Sequence, residues 1–425
     1  MAKHIAKIAS STLILLMSLN ACGLDNTSQI TQPQNPDNTS ILNNPVRFPD
    51  SNPAPISPEI SSQISSLKIE DTEWGLKVKS LPTVKAKRKA TLLSYLAFDN
   101  DKGGYRDELR QMINFHELSG SSNVMNMVLQ TDGADDKDLK RYFITGDKDA
   151  TKMVSPYTAF KYERDSADYR VLKSFIKWGF STYPSDIKLL DIDSHGGAYM
   201  GVGIDDTSGK VGKLPSIAKA IKEATGKVDL LNFDACLMGS IEVLYELKDT
   251  ADIIIGSQDS TYGTGLLYTK SINTILEKYK NLEDIARDIV LVSDRKGKDS
   301  LTRPNRKGYV PNVFTISAYR ISQLNNLTNE INNLSNLLIK NMPTLKQTIK
   351  VALDGTHPFN IENDELAGLG GQRDLHEILQ RLNTVISDVN IKSAISKTTQ
   401  ALNKTIILAR IHNAEKYAQG MAINI

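Results

Sequence analysis

Two apolar runs in this chain end in side chains that could do chemistry. Ile187-Lys-Leu-Leu-Asp-Ile-Asp193 leads into Ser194-His195-Gly196-Gly197, and Val228-Asp-Leu-Leu-Asn-Phe233 leads into Asp234-Ala235-Cys236-Leu237-Met238-Gly239. Cysteine attacks as a thiolate and needs a base to reach that form. Histidine suits the task because it ordinarily titrates close to neutral pH. If the two runs are neighbouring strands, both side chains arrive at one rim. The glycines after His195 let backbone approach a bound group closely. The amides of Gly196 and Cys236 could then hold a developing oxyanion. Cys236 is expected at the start of the next helix, where the helix dipole favours a thiolate. Asp234 is a candidate N-cap for that helix. Taken singly, His195 could be a core histidine and Cys236 a small packed hydrophobe. Their joint placement at strand ends favours catalysis.

The elements that must position these residues alternate. Strands are expected at Ala90–Phe98, Asn123–Gln130, Ile187–Asp193, Val228–Phe233 and Ala251–Gly256, with a hairpin or edge piece at Arg141–Thr145. Helices are expected near Asp107–Glu117, Asp168–Phe180, Leu214–Thr225 and Ser240–Leu247. Pro215 suits a first helical turn, and Gly226 suits a helix end. Such alternation implies an α/β fold with a mostly parallel sheet and helices on both faces. In sheets of this kind, reactive groups gather beyond the carboxyl ends of the strands. Later residues are read as helices at 283–293 and 320–340, a strand at Phe314–Ser317, a long helical stretch over 372–410 and a strand at Gly420–Ile425.

Of 425 residues, 40% are hydrophobic and 24% charged, and the net charge is +2. This is an ordinary globular balance without the basic footprint of a nucleic-acid binder. Lys3 and Lys7 precede an apolar run, Ile8 to Leu19, that is too short to span a bilayer and reads as a signal segment. The run ends in Leu19-Asn20-Ala21-Cys22, which resembles a lipoprotein box with Cys22 as the acylated residue; simple secretory cleavage after Ala21 is the alternative. Only Cys22 and Cys236 are present, so lipidation of Cys22 leaves one thiol and no intrachain disulfide. Residues 23–66 are rich in Asn, Ser, Thr, Gln and Pro and read as a disordered tether. The basic stretch Lys77–Lys89 reads as a solvated edge rather than a lipid contact. The resulting division is a signal segment over 1–22, the tether over 23–66 and a folded domain over 67–425. That domain has a motif-bearing core at 88–268 and a more helical part at 269–425.

The run from Val228 through Asp234-Ala-Cys-Leu-Met-Gly239, with the Ser194-His195-Gly196 turn upstream, resembles the clostripain family of cysteine peptidases, in the broad group of caspases, gingipains and legumains. Phe175-Ile-Lys-Trp178, Tyr183-Pro184, Glu242-Val243, Tyr245-Glu-Leu247 and Ala251-Asp252 extend the likeness over roughly 88–268, and Gly420-Met-Ala-Ile423 resembles a late family strand. In caspases the histidine lies about 50 residues before the cysteine; the separation here is somewhat shorter. The resemblance implies a caspase-like fold, His195 as catalytic base and Cys236 as nucleophile. It implies Asp234 as an acidic residue by the substrate pocket, suited to Arg or Lys before the cut bond. It also implies self-processing at a basic residue, for which Lys210 and Lys213 are candidates. Family members often carry tryptophan and an acidic residue after a later Gly-x-Gly. This chain has Gly263-Thr-Gly265-Leu-Leu-Tyr268, and Asp259 is a substitute acid.

His116, His357, His376 and His412 show no zinc spacing and read as surface or packing residues. Asp99-Asn-Asp-Lys-Gly-Gly104 begins like a calcium loop, but Arg110 stands where the bidentate glutamate belongs. Asp132-Gly-Ala-Asp-Asp136 reads as a solvated turn. Calcium is implied by the family resemblance alone, and no metal site or other cofactor is expected. The sequence therefore reads as an exported, lipid-anchored, monomeric cysteine endopeptidase acting on proteins or peptides. The alternative is a surface lipoprotein that binds a ligand on an α/β scaffold. The His195 and Cys236 pair separates the two readings, because a binder does not need it.

Overall fold

The structure, a computed structural model, describes residues 55, 57–100, 106–133, 139–149, 152–161, 164–259, 261, 271–300, 315–359, 371–411 and 417–425. The expected signal segment with Cys22, the expected tether as far as residue 54, the 263–268 loop, His412 and most of the two acidic loops lie outside them. In chain order the elements begin with α1 (Pro58–Ser66), β1 (Ile69–Thr72), β2 (Gly75–Val78), β3 (Arg88–Phe98), α2 (Arg106–Glu117), β4 (Met125–Gly133), β5 (Lys140–Phe143) and β6 (Pro156–Ala159). Next come α3 (Tyr169–Thr182), β7 (Ser185–Asp193), β8 (Val202–Asp205), β9 (Lys210–Gly212), α4 (Leu214–Thr225), β10 (Val228–Asp234), α5 (Ile241–Glu246) and β11 (Ala251–Gly256). The last are α6 (Ile272–Lys278), α7 (Leu282–Ser300), β12 (Thr315–Arg320), α8 (Leu324–Lys340), α9 (Met342–Asp354), β13 (Gln372–Asp374), α10 (Leu375–Val385), α11 (Val389–Thr405), β14 (Ile406–Ile411) and β15 (Ala422–Asn424).

Eleven strands form one sheet in the order β1-β2-β6-β5-β4-β3-β7-β10-β11-β12-β14. Its centre, from β4 to β11, is parallel as expected. Beyond it the pairings at both margins are antiparallel, except that of β2 with β6, which is parallel. Nearly every side chain of β3, β4 and β10 is buried, the pattern of strands covered on both faces. Residues of α1, α3, α4, α5 and α8–α11 pack on one face. Residues of α2, α6 and α7 pack on the other. No helix among the described residues is long and apolar enough to cross a membrane.

Several local expectations are corrected. Residues 58–66, assigned to the tether by composition, form α1 and bury Ile60 in the core. Of the two readings for 141–145, the hairpin holds and the edge piece does not: β5 pairs antiparallel with the preceding β4 and lies inside the sheet, between β4 and β6. The long helical stretch over 372–410 is four elements: β13, α10, α11 and β14. Asp374 caps α10 by accepting the Glu377 amide at 3.0 Å, and Asp388 caps α11 by accepting that of Ile391 at 2.9 Å. The chain leaves the helix at the β-branched pair Ile406 and Ile407, and Ile406 and Ile411 stand opposite Tyr319 and Thr315 of β12. In the basic stretch, Lys77 and Lys87 form exposed ion pairs with Glu70 and Asp186. Arg88 is instead buried and donates to the Met125 carbonyl at 3.0 Å.

One buried acid makes the fold sensitive to pH. Oε1 of Glu117 accepts the amides of Val154 at 3.0 Å and Ser155 at 2.7 Å. Burial pushes its carboxyl from an ordinary 4.5 up to about 7, against the opposing pull of those hydrogen bonds. The folded protein therefore keeps a proton that the unfolded chain releases above about 4.5, so stability is lost as pH rises from 4.5 through 7. Glu117→Gln keeps the acceptor and removes the titration. Relative to wild type, the variant gains roughly 1–3 kcal/mol on going from pH 5 to pH 8. Urea melts across that range check this, and a difference that stays constant with pH would refute it.

Candidate active site

The site is assembled by register. In the parallel pair β7 and β10, Asp193 stands opposite Asp234. His195 and Cys236 each lie two residues beyond that pair, so equal steps from aligned strand ends bring both to the same rim. Neighbouring strands are only about 4.8 Å apart. The Ser194 amide reaches back to the Asp234 carbonyl at 3.4 Å, tying the two exits together. Both His195 and Cys236 are half-buried, and Cys236 is a free thiol.

The loop after His195 folds against the loop after Cys236. A side chain at Gly196 would collide with the carbonyl oxygen of Cys236, so the glycine is what permits this approach. Gly196 pairs with Val202, and the flanking bonds run from Gly197 N to Gly201 O at 2.9 Å and from Gly203 N to His195 O at 3.0 Å. Neither bond uses the amide of Gly196. Ala198 and Leu237 both adopt left-handed backbone, with φ of 50° and 65°. For a residue with a Cβ this costs roughly 1–2 kcal/mol. The two side chains are buried together, beside Met200 and Cys236, and this contact helps to hold both turns.

The expected helix start at Cys236 is not found. Helix α5 begins at Ile241, and its N-cap is Ser240, which accepts the Val243 amide at 3.5 Å. Cys236 sits in the turn before it, so neither the dipole argument for the thiolate nor the N-cap role for Asp234 applies. The turn is held by the chain leaving β11. The Gly239 amide donates to Ser257 O at 2.6 Å, and the Leu237 amide donates to Asp259 O at 3.1 Å. Asp259 therefore reaches the Cys236 turn, and both its side chain and that of Asp234 are buried. Lys210 and Lys213 lie apart, each exposed, at the start of β9 and at the residue before α4. Lys210 pairs with Asp165 at 2.6 Å, and Lys213 donates to Met200 O at 3.3 Å.

Sequence reasoning missed the residues that fasten these loops. Asn100, placed in a failed calcium loop, donates to Ala97 O at 3.0 Å and Ile204 O at 2.9 Å, and Ser194 donates to Ala97 O at 2.6 Å. Asp99 Oδ2 accepts the Thr207 amide at 3.1 Å. These bonds anchor the histidine loop to the end of β3. Thr261 was also missed; its amide donates to Cys236 Sγ at 3.2 Å. No local sequence signal marks either group, because their tying partners, Ile204 for Asn100, Thr207 for Asp99 and Cys236 for Thr261, are distant in the chain. In the last turn of α2, burial pushes His116 down to about 4, which keeps it neutral, with its ring against Met112 O and Ser94 Oγ. His376 packs against Asn403 at 2.7 Å. Among the described residues, no group of three or more His, Cys, Asp or Glu could hold a metal ion.

Comparison with known proteins follows the same lines. The model of the clostripain family matches residues 94–421. Clostripain of Hathewaya histolytica is 27% identical over 253 residues, which cover 51% of this chain and 48% of the relative. The match thus spans about half the relative's length. A secreted C11 cysteine protease of Bacteroides thetaiotaomicron, solved with an irreversible peptide inhibitor, has a TM-score of 0.61 at 19% identity, covering 80% of this chain and 93% of that one. An inactive zymogen C11 protease of Parabacteroides distasonis has a TM-score of 0.57 at 19% identity, covering 80% and 90%. At these identities the structural likeness establishes the fold.

Proposed function

The chain belongs to the clostripain family, and we propose that it is a cysteine endopeptidase that cuts after Arg or Lys. The observation that carries this reading is the alignment of Asp193 with Asp234, which delivers His195 and Cys236 to one rim. His195 takes the thiol proton as the sulfur attacks the scissile carbonyl carbon. The amides of Gly196 and Cys236 stabilise the oxyanion. The intermediate collapses to an acyl-thioenzyme as His195 gives its proton to the leaving amine. Water, deprotonated by His195, then attacks the thioester. The acid product leaves, and the thiol recovers its proton.

The buried carboxylates of Asp234 and Asp259 support a pocket for a cationic side chain, since a carboxylate pairs strongly with guanidinium or ammonium. Lys210 and Lys213 are exposed, which supports self-cleavage at either. Cys22 is the proposed lipid anchor, holding an exported, monomeric enzyme at the cell envelope. The secreted character of the Bacteroides relative is in line with export.

The test is hydrolysis by the full chain of fluorogenic peptides that differ only in Arg, Lys, Asp or Leu before the bond. Arg and Lys peptides should be cut. Asp234→Asn should lower kcat/KM on them about 100-fold, with a far smaller effect on any residual Leu cleavage. An equal loss on all peptides would remove Asp234 from the pocket. No hydrolysis of any peptide, even after trypsin treatment to remove an inhibitory segment, would leave the ligand-binding lipoprotein as the better reading.

A further inference from the structure

The chain leaving β11 runs antiparallel to the nucleophile turn as a short ladder. Its rungs are Gly239 N to Ser257 O at 2.6 Å and Leu237 N to Asp259 O at 3.1 Å. Two residues beyond Asp259 the same segment presents a donor instead of an acceptor: the Thr261 amide meets Cys236 Sγ at 3.2 Å. The Thr261 hydroxyl also lies 3.7 Å from the same sulfur. The ladder is anchored from behind. Oγ1 of Thr315, the first residue of β12, accepts the amides of Gln258 at 2.9 Å and Asp259 at 3.2 Å, and it lies 2.8 Å from Ser257 Oγ.

We propose that Thr261 is a catalytic residue that holds the Cys236 sulfur for attack, through its amide and its hydroxyl. The inference rests on Cys236 being the nucleophile. A cysteine side chain has three staggered positions open to it. Two groups converging on the sulfur from the segment braced by Thr315 select one of them, which is the alignment that near-attack geometry requires. The ladder alone accounts for the amide, because any residue except proline supplies one. The hydroxyl is the part that only threonine or serine supplies, so it is the part to be tested.

The experiment compares wild type, Thr261→Val and Thr261→Ser in the full chain. It measures kcat and KM on an Arg peptide and, by mass spectrometry of the Cys236 peptide, the rate of alkylation by iodoacetamide. Thr261→Val is expected to lower kcat about 3- to 10-fold with KM within twofold. Alkylation should slow by a similar factor, and Thr261→Ser should recover at least half of each loss. A residue that merely packs would leave the alkylation rate unmoved. Wild-type rates in Thr261→Val by both measures would overturn the proposal. Faster alkylation would overturn it too, because Thr261 would then cover the sulfur rather than hold it. If the wild-type chain cuts no peptide, the peptidase reading fails, yet the alkylation rates still decide whether Thr261 acts on the sulfur.

Discussion

Cys236→Ala is expected to abolish hydrolysis of basic peptides, with kcat down at least about 10,000-fold. The fold should survive, because Cys236 is half-buried at a turn and its sulfur bonds to Thr261 rather than filling the core. His195→Ala should be similarly severe. The double variant should lose little more than either single one, since the two groups act as one device. Steady-state kinetics on an Arg peptide, with melting curves for all three proteins, make the comparison. More than about 1% of wild-type activity in a folded Cys236→Ala protein would place the nucleophile elsewhere.

Gln258→Leu should give the second large effect, through a brace that joins the C-terminal residues to the site. Gln258 is fully buried; its Nε2 donates to Asp374 Oδ2 at 2.8 Å and its Oε1 accepts the Gly420 amide at 2.8 Å. The same Asp374 oxygen accepts the Gln419 amide at 2.7 Å, and burial raises the carboxyl of Asp374. Beyond this, Ala422 N donates to Gly239 O at 3.0 Å, and Asn424 N donates to Glu242 Oε1 at 3.0 Å. Leucine has a similar volume but leaves a buried amide without its acceptor and a buried acid short of a donor. The cost should be roughly 2–5 kcal/mol. Because residues 257–259 carry the carbonyls that hold the Cys236 turn, kcat should also fall about tenfold well below the melting temperature, with KM little changed. Urea melts and kinetics at 25 °C test the two effects separately. A destabilised variant with wild-type kcat would reduce the brace to a purely structural part.

The residues that could do chemistry were legible in the chain because each sits directly after an apolar run. A strand that must be buried on both faces declares itself in four to eight consecutive residues, and its end follows from where that run stops. Helices α3 and α4 were legible for a similar reason, with Asp168 and Gly226 marking where one starts and the other ends. Composition misread residues 58–66, because Ser and Gln mask the two isoleucines, Ile60 and Ile64, that seat α1. Periodicity misread 372–410. A capped break at Asp388 and a change from helix to strand at Ile406 leave the apolar spacing almost unaltered, and tertiary pairing with β12 decides between the two.

By itself, then, the sequence determined the types of the reactive groups, the strands that carry them and the parallel centre of the sheet, all of which are local properties of short segments. Only the tertiary structure decided that Asp193 aligns with Asp234, that Cys236 lies in a turn five residues before its helix, and that Thr261 and the C-terminal strand close on that turn. Those facts depend on which backbone donor meets which acceptor across long stretches of chain. Hydrogen-bond register of that kind is set by the packing of the whole domain and leaves no mark in the neighbouring residues.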